Sequence, residues 1–170
     1  MTIRSFVPWP DQRLRTAAAE VDDITEEIQQ IWADMVETMD AMPGVGLAAP
    51  QIGVMLQLAV VDASPDRTRR ILMANPILLS VSDAKVAVEE ASPNLPGVSA
   101  KVERPNDIAI RFLNAGGVIE RRDLTGLEAR SAQHQIDHLQ GRMYFDNLRP
   151  VRRDMLLRKA AKKSKGQERA

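Results

Sequence analysis

The chain contains no cysteine. That excludes disulfides and removes thiolate from the set of available metal ligands. Aromatic residues are scarce: Trp9, Trp32, Tyr144 and three phenylalanines. No apolar run approaches the length needed to cross a bilayer. The opening Met1-Thr2-Ile3-Arg4-Ser5-Phe6-Val7-Pro8 lacks the apolar stretch of a secretory signal, so a cytoplasmic location is the expectation. No internal repeat and no linker divides the 170 residues, which fits one domain over 1–170.

Charge of one sign is lacking only in total. The formal net charge is zero, yet Arg149 to Ala170 carries nine Lys/Arg against the two acids Asp154 and Glu168. A basic C-terminal helix and tail over about 149–170 therefore hangs on an acidic body. It is either a solvated terminal helix or a docking segment for an acidic partner such as RNA.

Periodicity assigns the elements. Ile24, Ile28, Ile31, Trp32, Met35, Val36 and Met39 recur at steps of three and four, predicting a helix over 24–42. Asp23 with Glu26 is its candidate capping pair, and Pro43-Gly44 ends it. Short strands are expected over 55–62, 71–73, 77–81, 85–89, around Val102, over 108–113 and at 118–119. Asn75-Pro76 interrupts the second and third of these. Thr125, with Glu128 as capping-box partner, opens a second helix that Gly141 stops, and a third helix covers about 151–163. The pattern is α+β.

Histidine is the other scarce residue. The only two, His134 and His138, lie four apart in Gln133-His134-Gln135-Ile136-Asp137-His138. On a helix both share one face and can reach one cation, as in metal-binding motifs of the HExxH type. Glutamine, Gln135, stands where that motif has its glutamate, and an amide cannot take a proton from metal-bound water. Two further segments bear weighing. Gly44-Val45-Gly46-Leu47-Ala48-Ala49-Pro50-Gln51 lets backbone approach a ligand closely, although a tight buried turn would read the same way. Glu89-Glu90-Ala91-Ser92-Pro93-Asn94-Leu95-Pro96-Gly97 has, by itself, only turn chemistry.

Taken together and in this order, the three segments resemble the peptide deformylase family, marked by GxGxAAxQ, EGCLS and QHExDHL. The first motif is complete at Gly44, Gly46, Ala48, Ala49 and Gln51. The third persists at Gln133, His134, Asp137, His138 and Leu139. The resemblance extends over about Ile3 to Leu148, through Pro10 to Arg15, Glu37-Thr38-Met39, Asn75-Pro76 and Arg104-Pro105. It implies short antiparallel sheets around a central helix carrying both histidines, with N-terminal and C-terminal helices. It also implies removal of formate from N-formylmethionyl chains, by a divalent metal held by the second-motif cysteine and both histidines. The third-motif glutamate handles the proton, and the first-motif glutamine with the N–H after the cysteine binds the oxyanion.

Three of those parts differ here. Aligned on Pro96-Gly97, Glu90 keeps the motif glutamate, Ala91 replaces its glycine, and Ser92 replaces the cysteine. Pro93 replaces the residue whose N–H faces the oxyanion, and Gln135 replaces the base. The expected metal ligands are thus His134 and His138 with Ser92, a weak or absent site for Fe2+, Ni2+ or Zn2+. The catalytic positions are Gln135, Gln51 and Pro93, and the substrate side is lined by Gly44, Val45, Gly46 and Glu90. The reading is a deformylase-like protein without normal activity. Two alternatives stand beside it: a residual or altered hydrolase, with metal held by the histidines and Ser92 or Glu90, and a non-catalytic module binding nascent polypeptide N-termini or the ribosome.

Overall fold

A hydroxyl, not a carboxylate, starts the first helix in the computed structural model, which describes residues 2–169. Thr25 Oγ1 accepts the N–H of Ile28 at 3.3 Å, and α1 runs Glu26–Ala41. The expected pair Asp23–Glu26 does not cap it, because Asp23 lies two residues upstream and uses its carbonyl to accept Thr25 N–H. The helix stops one residue short of Met42, since a residue before proline is disfavoured in the α region. Its apolar stripe holds as expected: Ile28, Ile31, Trp32, Met35 and Met39 are buried.

Seven strands follow: β1 Gly46–Ala48, β2 Leu58–Val61, β3 Ile71–Val81, β4 Lys85–Ser92, β5 Leu95–Pro105, β6 Asp107–Leu113 and β7 Ile119–Thr125. They form a five-stranded antiparallel sheet in the order β1-β2-β3-β6-β7 and a separate β4-β5 hairpin. Helix α2, Gly126–Leu139, and α3, Pro150–Arg169, complete the fold. Side chains alternate along β2, so Ala59 and Val61 join Ala129, Ala132, Ile136 and Leu139 of α2 in one core cluster. Leu58 and Val60 join Ile31, Trp32 and Met35 of α1 in another. The sheet is therefore sandwiched between α1 and the histidine helix. A third cluster packs Val98, Ala100 and Val102 of β5 against Leu156 and Ala160 of α3, with Tyr144 and Phe145 between. Each fully buried Met or Trp in these layers contributes about 1.5–3 kcal/mol relative to exposure.

Several boundaries differ from the sequence pattern, each for a tertiary reason. Asn75-Pro76 does not divide two strands. It lies within β3, where the register with β6 shifts between Ala74 and Ile77. Asn75, at φ +50, exchanges two hydrogen bonds with Val21, accepting its N–H at 2.8 Å and donating to its carbonyl at 2.7 Å. That bracket holds the bulge, in which Pro76 has no donor to lose. The segment Glu89 to Gly97, which by itself has only turn chemistry, belongs to a hairpin whose tip is Pro93-Asn94. Thr125 precedes α2, but its hydroxyl donates to Asp107 Oδ1 at 2.5 Å and forms no capping box with Glu128. Gly141, at φ +75, ends the helix region as expected, and a Cβ there would lie 2.7 Å from the Arg15 carbonyl carbon. Helix α3 extends through Arg169, six residues beyond the expected end at Lys163; Ala170, the last residue of the expected tail, lies outside the described residues.

Candidate functional site

One face of α2 presents Ser131, His134, Gln135 and His138 toward β1 and the β4-β5 hairpin tip. Ser131, His134 and Gln135 line a cavity of about 450 Å³ there. Gly44, Val45 and Gly46 line one wall, Glu90, Ala91, Ser92 and Pro93 another, and Gln51, His134 and Gln135 also face it. The structure thus brings together every residue expected from the three segments, with His138 buried behind His134. Gly46 makes the approach feasible: a Cβ there would stand 2.3 Å from Ser131 Oγ and 2.5 Å from Gln135 Nε2.

Glu90 organises the floor. Its Oε2 accepts from Arg104 Nε at 2.6 Å and Arg130 Nη1 at 2.5 Å, and its Oε1 accepts from Arg104 Nη2 at 2.9 Å. Oε1 also lies 2.8 Å from His134 Nδ1. Burial alone would raise this carboxyl, but the His134 hydrogen bond and the Arg104 guanidinium outweigh it and hold it down to about 2. Arg104 reaches on to Asp137 Oδ2 at 3.0 Å, and Arg130 to the Val102 carbonyl at 3.0 Å. The network ties β4, β5 and α2 together. A carboxylate facing Nδ1 assigns the proton to that nitrogen, so the His134 Nε2 lone pair turns inward. Tyr144 stacks on the same imidazole with ring planes 14° apart; burial chiefly pushes its hydroxyl up to about 12.

The other end of the site is less complete. The Nε2 atoms of His134 and His138 lie 3.2 Å apart. Two nitrogens bound to one tetrahedral cation at about 2.0 Å would stand about 3.3 Å apart, so the pair has the geometry of two ligands. His138 is fully buried, and burial first, then the proximity of His134 and Arg104, pushes its pKa well below the usual value. It stays neutral, as a ligand must. A third donor is missing. Among the described residues no group of three His, Cys, Asp or Glu side chains is placed to hold a metal. Glu90 bonds the Nδ1 side of His134, away from Nε2, with both oxygens engaged. The Ser92 hydroxyl donates to Asn94 Oδ1 at 3.1 Å and accepts Asn94 N–H at 3.3 Å. These residues fit two corners of a metal site and do not complete it. His138 Nδ1 and Gln135 Oε1 are buried with no partner.

Gln51 is held on both sides. Its Oε1 accepts Ala48 N–H at 2.9 Å and its Nε2 donates to Asn94 Oδ1 at 2.8 Å. Asn94 is a residue that sequence reasoning passed over as turn chemistry. It is 1% exposed and donates to the carbonyls of Val7 at 2.7 Å and Gln51 at 2.9 Å, clamping the N-terminal segment, the Gln51 turn and the hairpin tip. Arg130 and Tyr144 were also missed. No spacing signals them, because their partners lie on other elements.

Comparison with known proteins fits this arrangement. The polypeptide deformylase family profile matches residues 3–154. Peptide deformylase 1 of Burkholderia multivorans is 37% identical over 162 residues, covering 95% of this chain and 90% of that protein. The peptide deformylase of Acinetobacter baumannii is 36% identical over 169 residues, covering 99% and 96%. Among solved structures, a peptide deformylase from Legionella pneumophila superposes with a TM-score of 0.90 at 37% identity, over 99% of each chain. The Ehrlichia chaffeensis peptide deformylase in complex with actinonin does so at 0.90 and 32%, over the full length of both. The chain belongs to the polypeptide deformylase family.

Proposed function

We propose that this chain keeps the deformylase fold and its peptide cavity but has lost normal deformylase activity. The observation that carries the reading is the incomplete donor set around two converging imidazoles. A neutral hydroxyl, already paired with Asn94, is a poor replacement for an anionic third ligand. Two losses compound it. Gln135 cannot accept and return a proton, which removes a contribution of about 10²–10⁴-fold. Pro93 supplies no backbone N–H, and one missing oxyanion donor costs on the order of 10²–10³ in rate. The effects need not multiply, because parts of one machine act together, but any one is severe.

A residual hydrolase would need a replacement ligand. Glu90 is the nearest carboxylate in the aligned motif, and its four bonds argue for a scaffold role instead. The binding reading draws on a different observation. Lys163 Nζ of the basic α3 donates to the Gly97 carbonyl, and Gly97 lines the cavity, so the positive helix borders the peptide cleft. This supports a cytoplasmic module that meets nascent N-termini near ribosomal RNA. No helix is long and apolar enough to cross a membrane.

The test pairs elemental analysis of anaerobically purified protein with formate release from a formyl-Met peptide. Little retained metal and negligible release are expected. Robust turnover by the unmodified chain would reject the reading. The binding module predicts RNA affinity that falls steeply with salt, and salt-independent affinity would count against it.

A further inference from the structure

His134 and His138 carry the only two imidazoles in the chain, and their Nε2 atoms stand 3.2 Å apart. That separation suits two ligands of one cation, but it equally suits a direct N–H···N hydrogen bond. The surroundings of the other two ring nitrogens tell the arrangements apart. His134 Nδ1 faces Glu90 Oε1 at 2.8 Å, and the same carboxylate accepts from Arg104 and Arg130. A carboxylate held by two guanidinium groups accepts and does not donate. The His134 proton therefore sits on Nδ1, and its Nε2 carries a bare lone pair. His138 Nδ1, by contrast, is buried with no partner among the described residues.

A cation between the rings needs both Nε2 lone pairs. The proton of a neutral His138 would then have to move to Nδ1, where the described residues offer it no acceptor. Bulk water does not reach it either, since His138 is 1% exposed. Imidazoles that ligate a metal ordinarily donate this second N–H to an acceptor, and a buried N–H without one is costly. With the proton on Nε2 instead, His138 donates to the His134 lone pair, and its Nδ1 keeps only a lone pair. That arrangement gains one hydrogen bond and orphans no N–H. The missing third donor leaves a cation little with which to offset the difference.

We infer that His134 and His138 form a closed imidazole pair that excludes metal: His138 Nε2–H donates to His134 Nε2, and Glu90 sets the direction of the bond by holding the proton on His134 Nδ1. The pair presupposes the proposed loss of the third ligand and goes beyond it. Loss of a ligand alone would leave two free nitrogens able to take up a cation. The pair leaves neither, because each Nε2 is spent on the other. Glu90 is thus a positioning residue that acts through His134. A metal-chelating group on a peptide in this cleft adds no affinity.

With only two histidines, the untagged full chain gives a nitrogen-15 spectrum of two imidazoles. Histidine-labelled protein, freed of metal with EDTA and held at about pH 8 so that ordinary imidazoles are neutral, is the sample. His134 should be protonated at Nδ1 and His138 at Nε2, with scalar coupling between the two Nε2 nuclei. One equivalent of zinc should leave both rings unshifted. His138→Gln should abolish the coupling and keep the His134 proton on Nδ1. A His138 proton on Nδ1, absence of the coupling, or a zinc-induced shift of both Nε2 resonances overturns the pair. A His134 proton that leaves Nδ1 in His138→Gln overturns the role of Glu90. If that variant does not fold, the tautomers and the coupling of the unmodified chain decide. Formate release tests the loss of activity separately: an inactive protein with uncoupled rings overturns the pair alone, and robust turnover with bound metal overturns both.

Discussion

Two regions that meet along α2, the Glu90 network reaching it from β4 and the surroundings of His138 and Gln135, are paired to opposite degrees. Around Glu90, two arginines and one imidazole nitrogen saturate both carboxylate oxygens. Around His138 and Gln135, two buried polar atoms have no partner, and the nearby Ser92 hydroxyl turns to Asn94. A buried ionic network is costly to break, because removing one partner strands the others. Around His138 no buried charge is left to strand: burial pushes its imidazole pKa well below the usual value, and the unmet atoms there are uncharged. The contrast is what the proposed loss of activity would leave behind: the groups that position the histidines are also structural, and those that would use them are not.

The largest effect should come from completing the incomplete region. Gln135→Glu alone should restore little formate release, because a base without a held metal has no acidified water to deprotonate. Ser92→Cys should raise metal retention more than rate. The two together should gain activity, and adding Pro93→Leu with Ala91→Gly should raise kcat by a further factor on the order of 10²–10³. A metal-loaded, fully restored protein with no turnover would show that the cavity has diverged as well.

Breaking the complete region gives the next largest change. Glu90→Ala leaves Arg104 and Arg130 buried and uncompensated, and should cost about 3–5 kcal/mol in urea unfolding. Ser92→Ala, in the incomplete region, should cost only about 1 kcal/mol. Equal costs would remove the contrast between the regions.

Between these lies Asn94→Ala, which strands the Val7 carbonyl, leaves the Gln51 carbonyl only the Val7 N–H, and frees the Gln51 amide. A loss of roughly 2–3 kcal/mol is expected, together with faster hydrogen exchange at Trp9, whose N–H bonds the Asn94 carbonyl. Protection at Trp9 that does not change would deny Asn94 its clamping role.

The smallest effect is electrostatic and lies outside both regions. Burial would raise the Asp146 carboxyl, but hydrogen bonds from Arg15 and from Met143 N–H hold it below its ordinary 3.8. A depressed folded pKa stabilises above the unfolded value and is lost as pH falls through the folded one. Acid unfolding below about pH 4 should therefore be less steep in Asp146→Asn, which has no such term to lose. An unchanged slope would show that Arg15 contributes nothing there.

Some of this was legible early. The α1 stripe and the His134/His138 face depend on local periodicity, and both elements formed where the spacing placed them. The continuous β3, the hairpin under Glu90 and the uncapped start of α2 were not legible, whereas the Thr25 cap is local, three residues from Ile28, and only its position differs from the expected Asp23. The others depend on a partner or a register that no short window contains: Asn75 is held by Val21, and Thr125 is diverted from capping by Asp107. The site divides in the same way. Glu90 meets Arg104, Arg130 and His134 across separations of 14, 40 and 44 residues.

What the sequence determined by itself is covalent. With no cysteine there is no thiolate anywhere, Gln135 has no titrating carboxyl, and Pro93 has no N–H in any fold. These are properties of single residues and need no neighbours. Only the tertiary structure decided that the Ser92 hydroxyl turns to Asn94 and that Glu90 fixes the His134 tautomer. Hydrogen-bond pairing and desolvation belong to pairs of groups, and the chain must fold before distant groups become pairs.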